Sequence, residues 1–194
     1  SIPESSALVI DTPEGRLIHS GDFKLDETPV VGEPFDAELW AEVAKSGVKA
    51  LISDSTNVFS THEGRSEASL AQDIEELISN APNMVVATTF ASNVARVKTL
   101  ADAGVRAGRS ICLMGRAMRR MIEAALETGV LTDFPTVVSS EDAQQIPRQD
   151  LMLLVTGSQG ERRAASAQLA NGKFQGIKLK EGDLFLFSSK TIPM

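Results

Sequence analysis

Apolar positions along the chain follow two patterns. In the first thirty residues they form two short runs, 7–10 and 16–19, separated by Thr12-Pro13-Glu14-Gly15, which predicts a β-hairpin followed by a loop. From Asp36 the pattern changes. Segments with helical spacing at 36–46, 66–79, 92–103, 116–128 and 164–170 alternate with short apolar runs at 50–53, 84–88, 110–114, 151–155 and 184–187. Ser66 and Ser92 stand where helix caps belong, and Gly47, Gly104 and Gly129 stand where helices would stop. Residues 132–149, with Pro135 and Pro147, predict a short strand and a loop or helical turn.

Near-continuous apolar strands alternating with helices predict an α/β fold with a mostly parallel sheet flanked by helices on both faces. Ligands of such sheets bind beyond the C-terminal strand ends. Four runs empty there into polar or glycine-rich turns: Ser53-Asp54-Ser55-Thr56-Asn57, Thr88-Thr89-Phe90-Ala91-Ser92-Asn93, Gly115-Arg116 and Thr156-Gly157-Ser158-Gln159-Gly160-Glu161. Parallel strands would gather all four on one edge, together with Arg96, Arg116, Arg119, Arg120, Arg162 and Arg163.

Composition narrows the chemistry. The 194 residues carry 19 Lys+Arg against 26 Asp+Glu, a net charge of -7, so broad nonspecific nucleic-acid binding is disfavoured and any phosphate recognition must be local. No apolar run approaches the ~20 residues of a membrane span. Cys112 is the single cysteine, which excludes an internal disulfide and a thiolate metal cluster and points to a reducing, cytoplasmic setting. Ser1-Ile2-Pro3-Glu4-Ser5-Ser6 has neither a basic nor an apolar leader region, and the chain reads as a piece of something longer. Only His19 and His62 are available as imidazoles, too few for a histidine-rich metal site.

Each candidate motif has a plain structural reading beside the chemical one. His19-Ser20-Gly21-Asp22 presents a carboxylate after a strand, as a metal ligand or as an ordinary turn. Asp54 sits in a loop that Asx and hydroxyl hydrogen bonds could explain as well as a functional carboxylate. Gly157 to Glu161 offers backbone donors to a phosphate, or is a tight strand-to-helix turn; it lacks the Gly-Lys-Ser/Thr ending of a P-loop. Arg116, Arg119 and Arg120 oppose the dipole of the helix they open, so they serve a partner or an ion pair, or form a solvated face. His62 fits an exposed loop residue, and Cys112 a small core residue.

Taken in order, Ser1-Ile2-Pro3-Glu4-Ser5, Thr12-Pro13-Glu14-Gly15, His19-Ser20-Gly21-Asp22-Phe23-Lys24, Ser53-Asp54-Ser55-Thr56-Asn57, Thr89-Phe90-Ala91-Ser92-Asn93, Gly115-Arg116, Thr156-Gly157-Ser158-Gln159-Gly160-Glu161 and Ser188-Ser189-Lys190-Thr191-Ile192-Pro193 resemble the ribonuclease J family. These are metallo-β-lactamase nucleases with an inserted β-CASP domain. The resemblance implies that residues 1–32 are part of a metallo-β-lactamase domain and that residues 33–194 are the β-CASP domain, of Rossmann or flavodoxin-like type. It implies RNA cleavage by water activated at a two-zinc site, as endonuclease and 5′-to-3′ exonuclease.

By the same resemblance Asp22 ligates metal and Asp54 is the acidic catalytic residue of the β-CASP part. RNA phosphates would meet Ser55, Ser92, Asn93, Arg96, Arg116, Gly157, Ser158, Gln159, Gly160 and Glu161. The family's histidine ligands fall outside this sequence, so the resemblance implies an incomplete zinc site, no activity in the isolated chain, and a cytoplasmic homo-oligomer as parent. One departure is internal: relatives often carry His-Arg where this chain has Ala95-Arg96. Two other readings stand beside this one, a non-catalytic RNA-binding or interaction module and a nucleotide-binding α/β domain.

Overall fold

The expected hairpin forms, β1 (Leu8–Thr12) pairing antiparallel with β2 (Gly15–His19). The computed structural model describes residues 5–61, 64–157, 164–172 and 175–189. Thr12 and Gly15 face each other across the turn, where the Thr12 hydroxyl donates to the Gly15 carbonyl at 2.7 Å and Gly15 takes φ +129°, a region glycine alone enters cheaply. The next apolar run, β3 (Ala50–Ile52), does not join the later strands as its pattern predicted. It pairs parallel with β2, seeded by the Lys49 N–H donating to the Arg16 carbonyl at 2.8 Å. The crossover between them holds α1 (Ala37–Ala44), capped by the Asp36 carboxylate on the Leu39 N–H at 2.9 Å.

This three-stranded mixed sheet belongs to the first of two compact units, Ser1–Ala68. Buried Asp26 ties the loop after β2 to the last residues of the unit. Its carboxylate accepts the Thr28 N–H at 3.0 Å and the Glu67 N–H at 3.2 Å, and Lys24 Nζ lies 3.5 Å away. Burial works against the charge on Asp26, yet these donors and Ser66 outweigh it and hold the pKa below the usual carboxylate value. Leu8, Val9 and Ile10 of β1 and Leu51 and Ile52 of β3 are exposed, so apolar side chains project from both faces of the sheet.

The second unit, Ser69–Met194, is the α/β body. Its strands β4 (Val85–Thr88), β5 (Ser110–Met114), β6 (Leu151–Val155) and β7 (Leu184–Phe187) are all parallel, in the order β5-β6-β4-β7. Their helices are α2 (Ala71–Ser79), α3 (Val94–Arg106), α4 (Arg116–Glu127), α5 (Ser140–Ala143) and α6 (Ala165–Ala170). β4 and β6 are buried throughout, as strands covered on both faces must be, and Val86, Met114, Leu153 and Leu169 share one core cluster. Cys112 lies in that cluster, where burial pushes its thiol up to about 11 and leaves it an inert core residue.

Four local expectations change. Ser66, expected to cap a helix, stands before a 3₁₀ turn at Ala68–Leu70, and α2 begins only at Ala71 with no side-chain cap. The cap of α3 is Asn93 rather than Ser92, because the Asn93 side chain reaches the Arg96 N–H three residues on, at 3.1 Å. Gly104 lies inside α3, and the stop is Gly108 at φ +76°. Residues 132–149 contribute a single parallel bridge, Val137 to Ile111, then α5 and a 3₁₀ turn at Arg148–Asp150. Among the described residues no helix is long and apolar enough to cross a membrane.

Candidate functional site

In the first unit the parallel pair β2 and β3 delivers its two polar turns to the same strand ends. Ser20 links them: its N–H donates to the Ile52 carbonyl at 2.9 Å and its Oγ accepts the Asp54 N–H at 3.1 Å. Gly21 then turns at φ +61°, where an added Cβ would lie 2.8 Å from the Ser6 carbonyl oxygen, so only glycine brings the chain round to Asp22. Ser5 Oγ donates to the Asp22 carbonyl, and the Gly21 N–H donates to His19 Nδ1 at 3.1 Å.

The Asp54 carboxylate is occupied by its own loop. Oδ1 accepts the Thr56 hydroxyl at 2.5 Å and the Thr56 N–H at 2.8 Å, and these two bonds hold its pKa below the usual value. A carboxylate held ionised in this way attracts cations well and takes up protons poorly. Ser55 is exposed beside it. A groove of about 990 Å³ crosses one face of the sheet, with Ile18, Leu51, Leu39 and Trp40 among its walls and Ser20 and Asp22 also on its lining. Its largely apolar lining suits side chains better than phosphates.

Zinc is the metal that the resemblance implies. Among the described residues no group of three or more His, Cys, Asp or Glu side chains is placed to hold a metal ion. Structural and catalytic zinc sites use three or four protein ligands, so the described part of this chain does not fit a zinc centre by itself.

In the second unit the parallel sheet brings the turns at Thr88–Asn93 and Gly115-Arg116, and Thr156-Gly157 of a third, to its C-terminal edge; the Ser53–Asn57 turn belongs to the smaller sheet instead. From β4 the chain runs through Thr88, Thr89 and Phe90 to exposed Ser92 and then to Asn93 at the start of α3. Arg96, in the first turn of α3, reaches the end of β7, its Nη1 donating to Ser188 Oγ at 3.0 Å and to the Ser188 carbonyl at 3.1 Å. Gly115 at φ +111° opens α4, where Arg116 is exposed; Arg119, expected to serve a partner or an ion pair or to lie on a solvated face, donates Nε to the Leu113 carbonyl at 3.0 Å.

Gly157 follows β6 at φ +108°, and a Cβ there would lie 2.1 Å from Ser166 Oγ and 2.3 Å from Ala164 Cβ. Of the expected phosphate loop, Ser158, Gln159, Gly160 and Glu161 lie outside the described residues, as do Arg162, Arg163 and His62.

Two features escaped the sequence reading. Ser188 anchors Arg96 from 92 residues away, a pairing no local pattern encodes. Thr88 and Thr89 carry buried hydroxyls that bond to nothing, at the point where the central strand passes into its turn. Their position straight after an apolar run was the available signal. Unpaired buried hydroxyls are uncommon and call for a water, a ligand or a functional strain.

A four-stranded all-parallel sheet whose strands alternate with helices along the chain defines an α/β domain. The family follows from comparison: residues 82–194 match the model "Ribonuclease J, beta-CASP domain", and the chain belongs to that family. It is 37% identical to Ribonuclease J of Sinorhizobium meliloti over 193 residues, 39% to that of Synechocystis and 38% to that of Corynebacterium glutamicum, each over 194. All of this chain is covered in each case, against 34%, 30% and 27% of the relatives, so it spans about a third of their length.

Proposed function

We propose that this chain is the RNA-holding part of a metal-dependent ribonuclease that hydrolyses RNA phosphodiesters, as 5′-to-3′ exonuclease and endonuclease, with metal-activated water. The observation that carries this reading is the C-terminal edge of the parallel sheet, where Asn93 caps α3 while Arg96 is held at the end of β7 by Ser188. A phosphate there would find the donors of a helix start and a guanidinium already in position. Ser92, Arg116 and the turn from Gly157 through Ser158, Gln159, Gly160 and Glu161 extend the same contact.

In this reading residues 1–32 are part of a metallo-β-lactamase domain, and residues 33–194 are the β-CASP domain, of which 33–68 fold with the first compact unit. Asp22 supplies one zinc ligand, and Asp54 is the acidic catalytic residue. Two carboxylates do not make a zinc centre, so the chain alone binds RNA without cutting it. A cytoplasmic, homo-oligomeric parent belongs to the same reading.

The test adds 5′-monophosphorylated single-stranded RNA and zinc to the purified chain. Binding without cleavage, and loss of zinc on gel filtration, are the expected results. Metal-dependent cleavage or one retained zinc per chain would overturn the division of labour. One residue favours a second reading, a non-catalytic RNA-binding module: Ala95 stands where relatives often carry histidine. The natural reading frame decides between the two, since a ribonuclease must encode a His-x-His-x-Asp-His cluster with this segment and a binding module need not.

A further inference from the structure

Phenylalanine is the main aromatic of this chain, with 8 against one Trp and no Tyr. Four of the described phenylalanines are exposed, Phe23 and Phe59 beside polar turns of the first unit, Phe90 and Phe187 beside those of the second. Phe23 (44%) follows Asp22, Phe59 (96%) ends the turns that begin at Ser55, Phe90 (37%) precedes Ser92, and Phe187 (66%) precedes Ser188. The other described phenylalanines, Phe35, Phe134 and Phe185, are partly buried.

Phe59 is the extreme case, since a ring left almost wholly in water contributes little to the packing of the chain that carries it. It stands on a braced segment, with the Val58 N–H donating to the Ser55 carbonyl at 3.0 Å and the Ser60 N–H to the Asn57 carbonyl at 2.9 Å. Bracing the backbone that carries the ring before a ligand arrives lowers part of the ordering cost of binding.

We infer that Phe59 is a stacking platform for a base of single-stranded RNA. The inference rests on the RNA reading above and names what it leaves open, a group that takes a base once the strand-end turns hold phosphates. Single-stranded nucleic acids are bound by such a combination of backbone contacts and aromatic faces, and stacking is tolerant of sequence because every base has a π face. Charge favours it further. On a surface with net charge -7, affinity from phosphate contacts alone would be local and lost in salt, whereas stacking needs no cation.

A protein partner is the less favoured occupant of Phe59. Along the chain the ring is flanked by Ser55, Thr56, Asn57, Ser60 and Thr61, with Val58 as its only apolar neighbour in sequence. Protein interfaces centre instead on contiguous apolar ground.

The test measures binding of a 3′-labelled, 5′-monophosphorylated oligouridylate to the 194-residue chain and to Phe59→Ala, Phe59→Leu and Phe59→Trp, at low and high salt. Phe59→Ala and Phe59→Leu are expected to weaken binding roughly 5- to 150-fold, by a similar factor at both salt concentrations. Phe59→Trp is expected to bind at least as well as the wild type, with its new fluorescence quenched by RNA while the wild-type signal from Trp40 is not. Thermal melting checks that the variants fold alike.

If Phe59→Leu binds like the wild type, the ring makes an apolar contact rather than a stack, and the inference falls. If the wild type binds RNA and all three variants match it, the inference falls and the proposed function stands. Failure of the wild type to bind RNA at all would remove both.

Discussion

Arg109 shows how much one buried side chain can carry. Its guanidinium donates to the carbonyls of Asn83 at 2.7 Å, Ala81 at 2.7 Å and Ile78 at 3.1 Å, closing off the last carbonyls of α2 and the turn that leads into β4. A helix end buried without such donors leaves carbonyls unpaired, and a cation there also suits the helix dipole. Arg109→Ala should therefore cost about 2–4 kcal/mol, visible as a lower urea midpoint, with Arg109→Lys recovering little because one ammonium cannot serve three divergent acceptors. Local bonds act on Asp54 too: Thr56 donates twice to its Oδ1 and holds the carboxylate ionised.

Among the elements, the strands of the parallel sheet were the most legible. Residues 110–114, 151–155 and 184–187 became β5, β6 and β7 because a buried parallel strand must be apolar on both faces and so stands out as an unbroken run. Ala50–Ile52 looks the same in sequence, yet it belongs to the other sheet. What decides its partner is the pairing of Lys49 with Arg16 and the register of Leu17 against Ala50, contacts spanning more than thirty residues that no local window contains. The site was legible in its turns and not in its cross-links: Ser92 and Asn93 were both visible as polar, but which of them caps α3, and that Arg96 is clamped by Ser188, depend on geometry.

Gly104 was read as a stop because helices often end on glycine, whereas its function is packing. A Cβ there would meet Ile111 Cδ1 at 2.5 Å and Met152 Sδ at 2.6 Å, on side chains that are fully buried. Gly104→Ala gains about 1 kcal/mol in helix propensity and loses about 1–3 kcal/mol to overpacking, so the variant should melt lower despite carrying the better helix former. A higher melting temperature would mean that α3 can slide away from the sheet without cost.

For the whole molecule, the first unit sets the physical behaviour in solution. A three-stranded sheet with exposed leucine, valine and isoleucine on both faces has the character of a middle layer, and β1 offers a free backbone edge next to those side chains. The net negative charge of the chain opposes association of its copies, and that repulsion has a limited range in both pH and salt. The sequence pI is about 4.9, so lowering the pH from 8 towards 5 removes the net charge while the apolar faces stay as they are.

Light scattering should therefore find a dispersed species in dilute buffer at pH 8, with association rising steeply near pH 5 or in molar salt. Leu8→Lys with Leu51→Glu, one on each face, should move that onset to lower pH. The three short strands that carry the two carboxylate turns are thus also the colloidal weak point of the protein, and handling it in solution is first a matter of keeping them charged apart.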